Sequence, residues 1–146
     1  MIKVGIIGAN GYLGVELIRI LSVHPEVKLS KIFQREMEID EEFPHLQSLD
    51  LNDLQTSDLD EFKKLDCVFL SLPHGSAHEY VKELLSKVKI IDLSSDFRIY
   101  NQEDYNKYYK TNFDADIQSK FQYGFIENSI DDIKNLLTYP ILVVLH

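Results

Sequence analysis

The sequence predicts an α/β fold, in which helices cover both faces of a doubly wound, mostly parallel sheet. Three observations support this prediction. The apolar run 2–7 leads through a glycine-rich turn into a helical period. A later run, 66–72, is almost continuously apolar, as is typical of parallel strands that are buried on both faces. Strand-like and helix-like segments alternate along the 146 residues, which is the order of a doubly wound sheet.

The first elements follow from the period of the apolar residues. Residues 2–7 predict a strand, and the helix after it ends at His24 and Pro25, because proline stops a helical pattern. Residues 27–33 predict the second strand. Residues 36–61 carry ten of the 24 carboxylates, so we expect a solvated connection that contains a short strand. The helix face that we expect to be buried consists of Leu13, Leu17, Ile20 and Leu21.

The second half of the chain repeats this alternation. After the strand at 66–72, Ser76 and Glu79 have the spacing of a capping box and predict the start of a helix. Residues 89–93 predict a further strand, and the tyrosine-rich segment 100–123 is expected to be a loop on the sheet edge. A last helix is expected after its cap, Ser129. The expected buried faces are Ala77, Tyr80, Val81, Leu84 and Leu85 in the first helix and Ile130, Ile133, Leu136 and Leu137 in the last.

Composition excludes several classes of function. The net charge of −9 argues against nucleic acid or an anionic membrane as a partner, because both require a basic surface. The sequence contains no run of 18 apolar residues and no secretory leader, which predicts a cytoplasmic protein. The single cysteine, Cys67, excludes an intrachain disulfide and a thiolate cluster, and the histidines lack ligand spacing, so we expect no metal site.

The glycine-rich turn has the composition of a Rossmann-like dinucleotide site. Glycines let the backbone approach a pyrophosphate closely, and the N–H groups at the start of the next helix attract that anion. The spacing is GxxGxxG rather than the usual GxGxxG, but the turn lies between a strand and a helix, as the motif requires. An ordinary glycine turn is the alternative. The predicted cofactor-binding residues here are Gly8, Asn10, Gly11, Tyr12, Leu13 and Gly14.

The residues after the second strand indicate which nicotinamide dinucleotide is preferred. An NAD-binding domain usually has an acid about 20 residues after the glycines to hold the ribose 2′-hydroxyl, whereas a 2′-phosphate requires a cation. Arg35 follows the strand and no acid precedes it, so we expect NADP (NADPH) as the cofactor and Arg35 as its ligand. If Glu36 faced the ribose instead, NAD would be favoured.

Five motifs, in the same order along the chain, resemble the N-acetyl-gamma-glutamyl-phosphate reductases. The resemblance covers residues 1 to about 128. Aspartate-semialdehyde dehydrogenases share the fold and the chemistry, so a reductase fragment of that kind is the alternative within this class. The motifs are the glycine segment followed by residues 24–27, and then residues 43–46, 68–75, 91–98 and 123–124.

The resemblance implies an NADPH-dependent step of arginine biosynthesis, in which the acyl phosphate of N-acetyl-glutamyl phosphate is reduced to an aldehyde. In the family a cysteine forms a thioester and a histidine acts as acid and base. The cysteine belongs to an Asn-Pro-Gly-Cys motif after the Tyr-Gly segment, and the histidine belongs to a second, substrate-binding domain. This sequence contains neither, so we expect no catalytic residue here, and a homo-oligomer only where the second domain is present.

Further candidates end the two later strands. In the family the turn after strand 66–72 lies beside the cofactor, although its histidine is alternatively a residue that only shapes the turn. Ser95 and Asp96 are secondary candidates, and Asp96 alternatively pairs with Arg98. Cys67 lies inside an apolar strand, where burial raises the pKa of a thiol, so we expect it to be inert. The predicted cofactor-binding residues of this edge are Leu72, Pro73, His74 and Ser94.

We expect residues 1–137 to form the dinucleotide-binding domain and residues 138–146 to be a divergent tail produced by a frameshift. One synonymous encoding of the tail, read in a shifted frame, gives Ile-Ser-Asn-Pro-Gly-Cys-Phe-Ala, which contains the nucleophile motif of the family. The chain would then be a truncated reductase without activity of its own. A stand-alone regulatory dinucleotide-binding module and a remnant that does not fold stably are the alternatives.

Overall fold

A computed structural model of the chain describes residues 1–33, 55–109, 113–123 and 143–144. Its strands are β1 (Ile2–Ile7), β2 (Val27–Phe33), β3 (Gln55–Thr56), β4 (Cys67–Leu70), β5 (Lys89–Asp92), β6 (Gln122–Tyr123) and β7 (Val143–Val144). The helices of the described ranges are α1 (Tyr12–Ser22), α2 (Leu59–Phe62), α3 (Ala77–Leu84), α4 (Gln102–Tyr108) and α5 (Ala115–Gln118). None of these helices has the length and apolar character needed to cross a membrane.

The main sheet has five parallel strands in the order β3-β2-β1-β4-β5. The chain runs outward from β1 through β2 to β3 and then returns, so that β4 and β5 lie on the other side. The predicted doubly wound α/β fold is therefore confirmed. Because all strands are parallel, their carboxyl ends share one edge, and ligands of such sheets bind where the strand order reverses. Here that point lies between β1 and β4.

Alternate residues of β1 enter two hydrophobic cores, one on each face of the sheet. Val4 and Ile6 pack with α1 on one face, whereas Ile7 packs with α3 on the other. A Cβ at Gly5 would lie 2.6 Å from a methyl carbon of Leu65 and 2.7 Å from the ring of Phe62. Position 5 must therefore remain without a side chain, because α2 and the turn after it occupy the space above the strand.

The buried face of α1 differs from the predicted one, although Leu21 is buried as predicted. Leu13 and Ile20, which were predicted to be buried, are 47% and 44% exposed, and Leu17 is only partly buried. The cause is Gly14, which lets α1 approach the backbone so closely that a Cβ there would lie 2.7 Å from the Cα of Ala9. Apolar residues four and seven positions after this glycine then face the sheet. The buried residues of α1 are Gly14, Val15, Ile18 and Leu21.

The segment 100–123 is not the predicted loop, because it contains α4, α5 and β6. Asn101 caps α4, since its side-chain oxygen accepts hydrogen bonds from the N–H groups of Glu103 (2.8 Å) and Asp104 (3.2 Å). Asp114 caps α5 in the same way through the N–H of Ile117 (3.1 Å). Tyr105 is completely buried. Polar residues that were attributed to a loop are thus helix caps.

The connection 36–61 contains the expected short strand, β3, which pairs with β2 at the sheet edge. It also contains the start of α2, which was not predicted and which buries Phe62. Residues 36–54 of this connection lie outside the described residues, as does the helix predicted after Ser129. Of the tail 138–146, the structure describes β7, which pairs in parallel with β6. The division of the chain after residue 137 stays a prediction.

We expect Gly14→Ala to destabilise the fold. The added methyl group would overlap the carbonyl oxygen of Gly8 and crowd Ala9, so α1 would have to move away from β1. Overpacking of this kind costs about 1–3 kcal/mol. Urea unfolding followed by circular dichroism measures the effect. Unfolding at the urea concentration of the parent protein would show that this glycine does not set the helix position.

Candidate functional site

Three strand ends converge at the glycine turn. Gly8 follows β1, and its N–H donates to the carbonyl oxygen of Phe33 at the end of β2 (3.0 Å). A Cβ at Gly8 would overlap the carbonyl oxygen of Ser71, which directly follows β4. The φ angle of Gly8 is +85°, a conformation that residues with side chains rarely adopt. The turn is therefore held tightly between the strands on both sides of β1.

The N-terminus of α1 is open to an anionic ligand. Gly11 is its N-cap, no side chain caps the helix, and its first turn contains no acidic residue. The first intrahelical bond runs from the N–H of Val15 to the carbonyl of Gly11 (2.9 Å), so the N–H groups of residues 12–14 have no acceptor within the helix. Together with the helix dipole, these groups form a favourable site for a phosphate.

The two glycines that flank this N-terminus have different surroundings. A Cβ at Gly14 would meet the backbone of Gly8 and Ala9, so packing against β1 excludes a side chain there. A Cβ at Gly11 would meet only the carbonyl oxygen of Gly8, at an ordinary distance of 3.9 Å. The free protein therefore has room for a side chain at Gly11. The space beside Gly11 is part of a cleft.

This cleft has a volume of about 1170 Å³. It exceeds the roughly 300–1,000 Å³ that is common for drug-sized ligands, as a dinucleotide requires. Gly14 packs under the turn rather than lining the cleft. His74 and Ser94 do not line it, and Arg35 lies outside the described residues. The predicted cofactor residues that do line the cleft are Gly8, Asn10, Gly11, Tyr12, Leu13, Leu72 and Pro73.

The loop between β4 and α3 forms the wall opposite the glycine turn. Residues 73–76 make a tight turn, in which the N–H of Ser76 donates to the carbonyl of Pro73 (3.2 Å). Gly75 is the third residue of this turn and has a φ angle of +86°, as a type II turn requires. Leu72, Pro73, Gly75 and Ser76 all line the cleft. The shape of this wall therefore depends on how the turn is held.

Asp96, and not Ser76, caps α3. The predicted capping box is wrong, because the Ser76 side chain makes no cap hydrogen bond. The fully buried carboxylate of Asp96 instead accepts the N–H of Gly75 (2.6 Å) and that of Ala77 (3.0 Å). Burial alone would raise the pKa of Asp96, but the neighbouring imidazole of His78 and the hydrogen bonds from these two backbone groups lower it below its ordinary value. Asp96 is thus held as a carboxylate.

Two histidines complete the surroundings of Asp96. The Nδ1 of His74 lies 2.6 Å from Oδ1 of Asp96, and the ring of His74 stacks on Tyr109 with centroids 4.1 Å apart. The Nδ1 of His78 lies 3.7 Å from Oδ2. The suggested ion pair between Asp96 and Arg98 is wrong, because Arg98 donates instead to the carbonyl oxygen of Ser94 (3.0 Å). His74 therefore lies behind the wall of the cleft.

Ser94 connects Asp96 to a second buried carboxylate, Asp92. The hydroxyl of Ser94 donates to Oδ2 of Asp92 (2.6 Å) and accepts the N–H of Asp96 (3.1 Å). Burial raises the pKa of Asp92 from its ordinary value of 3.8 to about 6, against the hydrogen bonds from Ser94 that lower it. Ser94 is only 4% exposed, so its hydroxyl is part of the support beneath the cleft rather than of its surface.

The comparison with protein families matches this geometry. A family described as semialdehyde dehydrogenase, NAD binding domain, matches residues 3–136. The chain belongs to this family. The glycine turn, the open N-terminus of α1 and the β4–α3 loop of this NAD-binding domain thus lie where a dinucleotide-binding fold places its ligand.

Curated relatives of this NAD-binding domain include two kinds of phosphate reductase. The N-acetyl-gamma-glutamyl-phosphate reductase of Campylobacter curvus is 42% identical over 144 residues, which are 95% of this chain and 43% of that protein. A LysW-L-2-aminoadipate/LysW-L-glutamate phosphate reductase of Pyrococcus abyssi is 40% identical over 137 residues, 92% of this chain and 40% of that protein. The resemblance to the first kind is confirmed. The chain spans about two fifths of the length of these relatives.

Solved structures with the same fold include two aspartate semialdehyde dehydrogenases. Enzyme II of Vibrio cholerae has a TM-score of 0.63 and 16% identity, and the match covers 99% of this chain and 41% of that one. The Candida albicans enzyme, solved with NADP, has a TM-score of 0.57 and 15% identity over 99% of this chain and 42% of that one. At these identities the likeness shows the fold of the NAD-binding domain.

Several residues that line the cleft were not predicted from the sequence. His78 and Lys82 of α3 line it, as do Phe113 and Asp114 from the segment that was predicted to be a loop. Lys82 forms an ion pair with Asp114 (3.6 Å). A signal for the α3 residues was present, because this helix starts directly after the loop at the carboxyl edge of the sheet. The helical period predicts only the apolar face of α3, whereas His78 and Lys82 lie outside that face.

Cys67 has the properties that the sequence predicts. It lies at the start of β4, and burial raises the pKa of its thiol from 9.0 to about 11. At neutral pH the thiolate fraction is therefore very small, so Cys67 is a poor nucleophile.

Among the described residues, no group of three or more histidine, cysteine or acidic side chains is arranged to hold a metal ion.

We expect Asp92→Asn to change how stability depends on pH. The unfolded chain loses the Asp92 proton near pH 4, whereas the folded protein keeps it until about pH 6. This group therefore destabilises the native protein as the pH rises between these values, and asparagine does not titrate. The stability of the variant relative to the parent should rise by about 2–3 kcal/mol between pH 4 and pH 7. Urea unfolding of both proteins across this pH range measures the effect. A difference in unfolding free energy that stays constant with pH would contradict the raised pKa of Asp92.

Proposed function

We propose that this NAD-binding domain holds the pyrophosphate of a nicotinamide dinucleotide at the N-terminus of α1. The contrast between Gly11 and Gly14 carries the proposal. Packing against the turn accounts for the missing side chain at Gly14, but nothing in the free protein excludes one at Gly11. A phosphate bound to the N–H groups of residues 12–14 accounts for it, because a side chain at Gly11 would occupy the space of that phosphate.

The residues of the domain bind and orient the dinucleotide, which supplies the hydride when it is bound. The N–H groups at the start of α1 neutralise the pyrophosphate. The contact between Gly8 and Ser71 fixes the glycine turn against the β4–α3 loop, so the two walls of the cleft keep a constant spacing. Pro73 and Gly75 form the wall on the β4 side.

The reaction that we propose is the reduction of N-acetyl-gamma-glutamyl phosphate to its semialdehyde, a step of arginine biosynthesis. Relatives at 35–42% identity are named as N-acetyl-gamma-glutamyl-phosphate reductases, which supports this substrate. The substrate named for the Pyrococcus abyssi relative, a LysW-linked aminoadipate or glutamate phosphate, is the alternative. Similarity to aspartate semialdehyde dehydrogenases is a similarity of fold. For this chain, the proposed role is the cofactor-binding part of the reaction.

A dinucleotide-binding module without catalytic activity is the second candidate. Cys67 is the single cysteine of the sequence, and burial raises its pKa to about 11, so it does not supply the thiolate that a thioester mechanism requires. Turnover of the acyl phosphate by the 146-residue chain alone would reject this candidate. Dinucleotide binding without turnover agrees with both candidates.

We also propose a cytoplasmic location, with a dinucleotide and a small-molecule substrate as the partners and no nucleic acid or membrane. The net charge of −9 supports the exclusion of polyanionic partners. A homo-oligomer is proposed only for a form of the protein that includes the substrate domain.

We expect Gly11→Val to abolish dinucleotide binding without unfolding the protein. Its φ angle of −81° suits any residue, and its Cβ position is open in the free protein, so stability should stay within about 1 kcal/mol of the parent. Affinity for NADPH should fall at least tenfold. Isothermal titration calorimetry measures the binding, and urea unfolding of the same sample supplies the control. Unchanged affinity for NADPH would overturn the proposed site.

NADP, rather than NAD, is our proposed cofactor, and Arg35→Ala tests this preference. The guanidinium of Arg35 is proposed to pair with the 2′-phosphate, a charge-assisted contact worth about 1.5–3 kcal/mol. The parent should therefore bind NADPH more tightly than NADH. The variant should lose about tenfold or more in affinity for NADPH and little for NADH, because NADH has no 2′-phosphate. Equal affinities of the parent protein for both dinucleotides would reject the role of Arg35.

A further inference from the structure

The wall of the cleft on the β4 side is held from behind by one carboxylate. Asp96 accepts hydrogen bonds from the N–H groups of Gly75 and Ala77, which stand at the end of the β4–α3 loop and the start of α3. The imidazole of His74, from the middle of the same loop, lies 2.6 Å from its Oδ1. Each of these partners belongs to the loop or to the first turn of α3.

The network around Asp96 is built to hold a charge. The carboxylate is completely buried, and an unpaired charge in that position would be strongly destabilising. Four N–H or imidazole groups surround it, from Gly75, Ala77, His74 and His78. Asp96 does not line the cleft, whereas Gly75 and His78 do. Any effect of Asp96 on a ligand must therefore act through the β4–α3 loop and the start of α3, to which its partners belong.

The position of the loop indicates which half of a dinucleotide it would meet. The pyrophosphate of such a ligand lies at the N-terminus of α1, and the ribose that carries the 2′-group lies at the end of β2. The other half of the molecule must extend in the opposite direction from the pyrophosphate. The next strand in that direction is β4, which is followed by the loop that Asp96 holds.

We infer that Asp96 is a positioning residue for the nicotinamide half of the cofactor, acting through the backbone of Gly75 and Ala77 and through His74. This inference rests on the proposed dinucleotide function and adds to it a residue that does not touch the ligand. The carboxylate fixes the turn at residues 73–76 in the shape that the nicotinamide end meets. The adenosine end, which lies across β1 near β2, does not depend on it.

Two ligands distinguish the nicotinamide end of the cofactor from its adenosine end. NADPH carries the nicotinamide, whereas 2′-phospho-ADP-ribose has the pyrophosphate and the adenosine half without it. Asp96→Asn leaves one acceptor oxygen but places an NH₂ group against one of the two backbone N–H donors, so the turn loses a support. Affinity of this variant for NADPH should fall on the order of tenfold, and its affinity for 2′-phospho-ADP-ribose should change less than twofold.

Asn101→Ala is the matched control. Asn101 also accepts two backbone N–H groups at a helix start, but it does not line the cleft. This control should bind both probes as the parent does. If Asp96→Asn does not give a folded protein by circular dichroism, His74→Ala replaces it, because His74 is a partner of Asp96 with a partly exposed side chain. This variant should again lose affinity for NADPH but not for 2′-phospho-ADP-ribose.

The outcomes distinguish the inference from the proposed function. If the parent binds neither probe, the proposed function is wrong. If the parent binds both and Asp96→Asn also binds both unchanged, the function stands and the positioning role is overturned. An equal loss of both probes in Asp96→Asn, or the same loss of NADPH in Asn101→Ala, would show general loosening of the domain and would also overturn it. A loss confined to NADPH in the Asp96 variant supports the inference.

Discussion

The close approach of three backbone segments at Gly8 determines the rest of the site. The carbonyl of Ser71 occupies the space that a side chain would need at Gly8, and the backbone of Gly8 and Ala9 occupies the space that a side chain would need at Gly14. This contact sets how near α1 lies to β1, and therefore which residues of α1 turn inward. It also brings the loop after β4 next to the helix start. A cleft with two fixed walls results from the lack of side chains at two positions.

Two buried carboxylates at the end of β5 show how local donors decide protonation. Asp92 and Asp96 are both completely buried, yet the pKa of Asp92 is raised to about 6 and that of Asp96 is lowered. Burial by itself raises the pKa of both carboxyl groups. The difference lies in the partners, because Asp96 has two backbone amides and His78, whereas the hydrogen bonds that Asp92 receives come from Ser94. Asp96 is therefore suited to bind N–H groups permanently.

Local patterns predicted the sheet and the glycine turn, because both depend on residues that are adjacent in sequence. The apolar runs at 2–7 and 27–33 became strands with the same bounds. The face of α1 was predicted correctly only at Leu21, because the helical period of its leucines does not reveal that Gly14 must face the strand. The capping box at Ser76 was wrong because a residue 19 positions after Ala77 supplies the cap. Spacing rules within one helix do not detect such a partner.

The distant cap has a consequence for the order in which this half of the domain folds. Helix α3 has eight residues, which is too short to be stable in water as an isolated helix. The N–H of Ala77, the first residue of the helix, and the N–H of Gly75 just before it find their acceptor only when the segment after β5 is in place. The helix and β5 must therefore form in one cooperative step rather than in sequence. A chain that emerges from the ribosome only as far as residue 90 would still lack a completed α3.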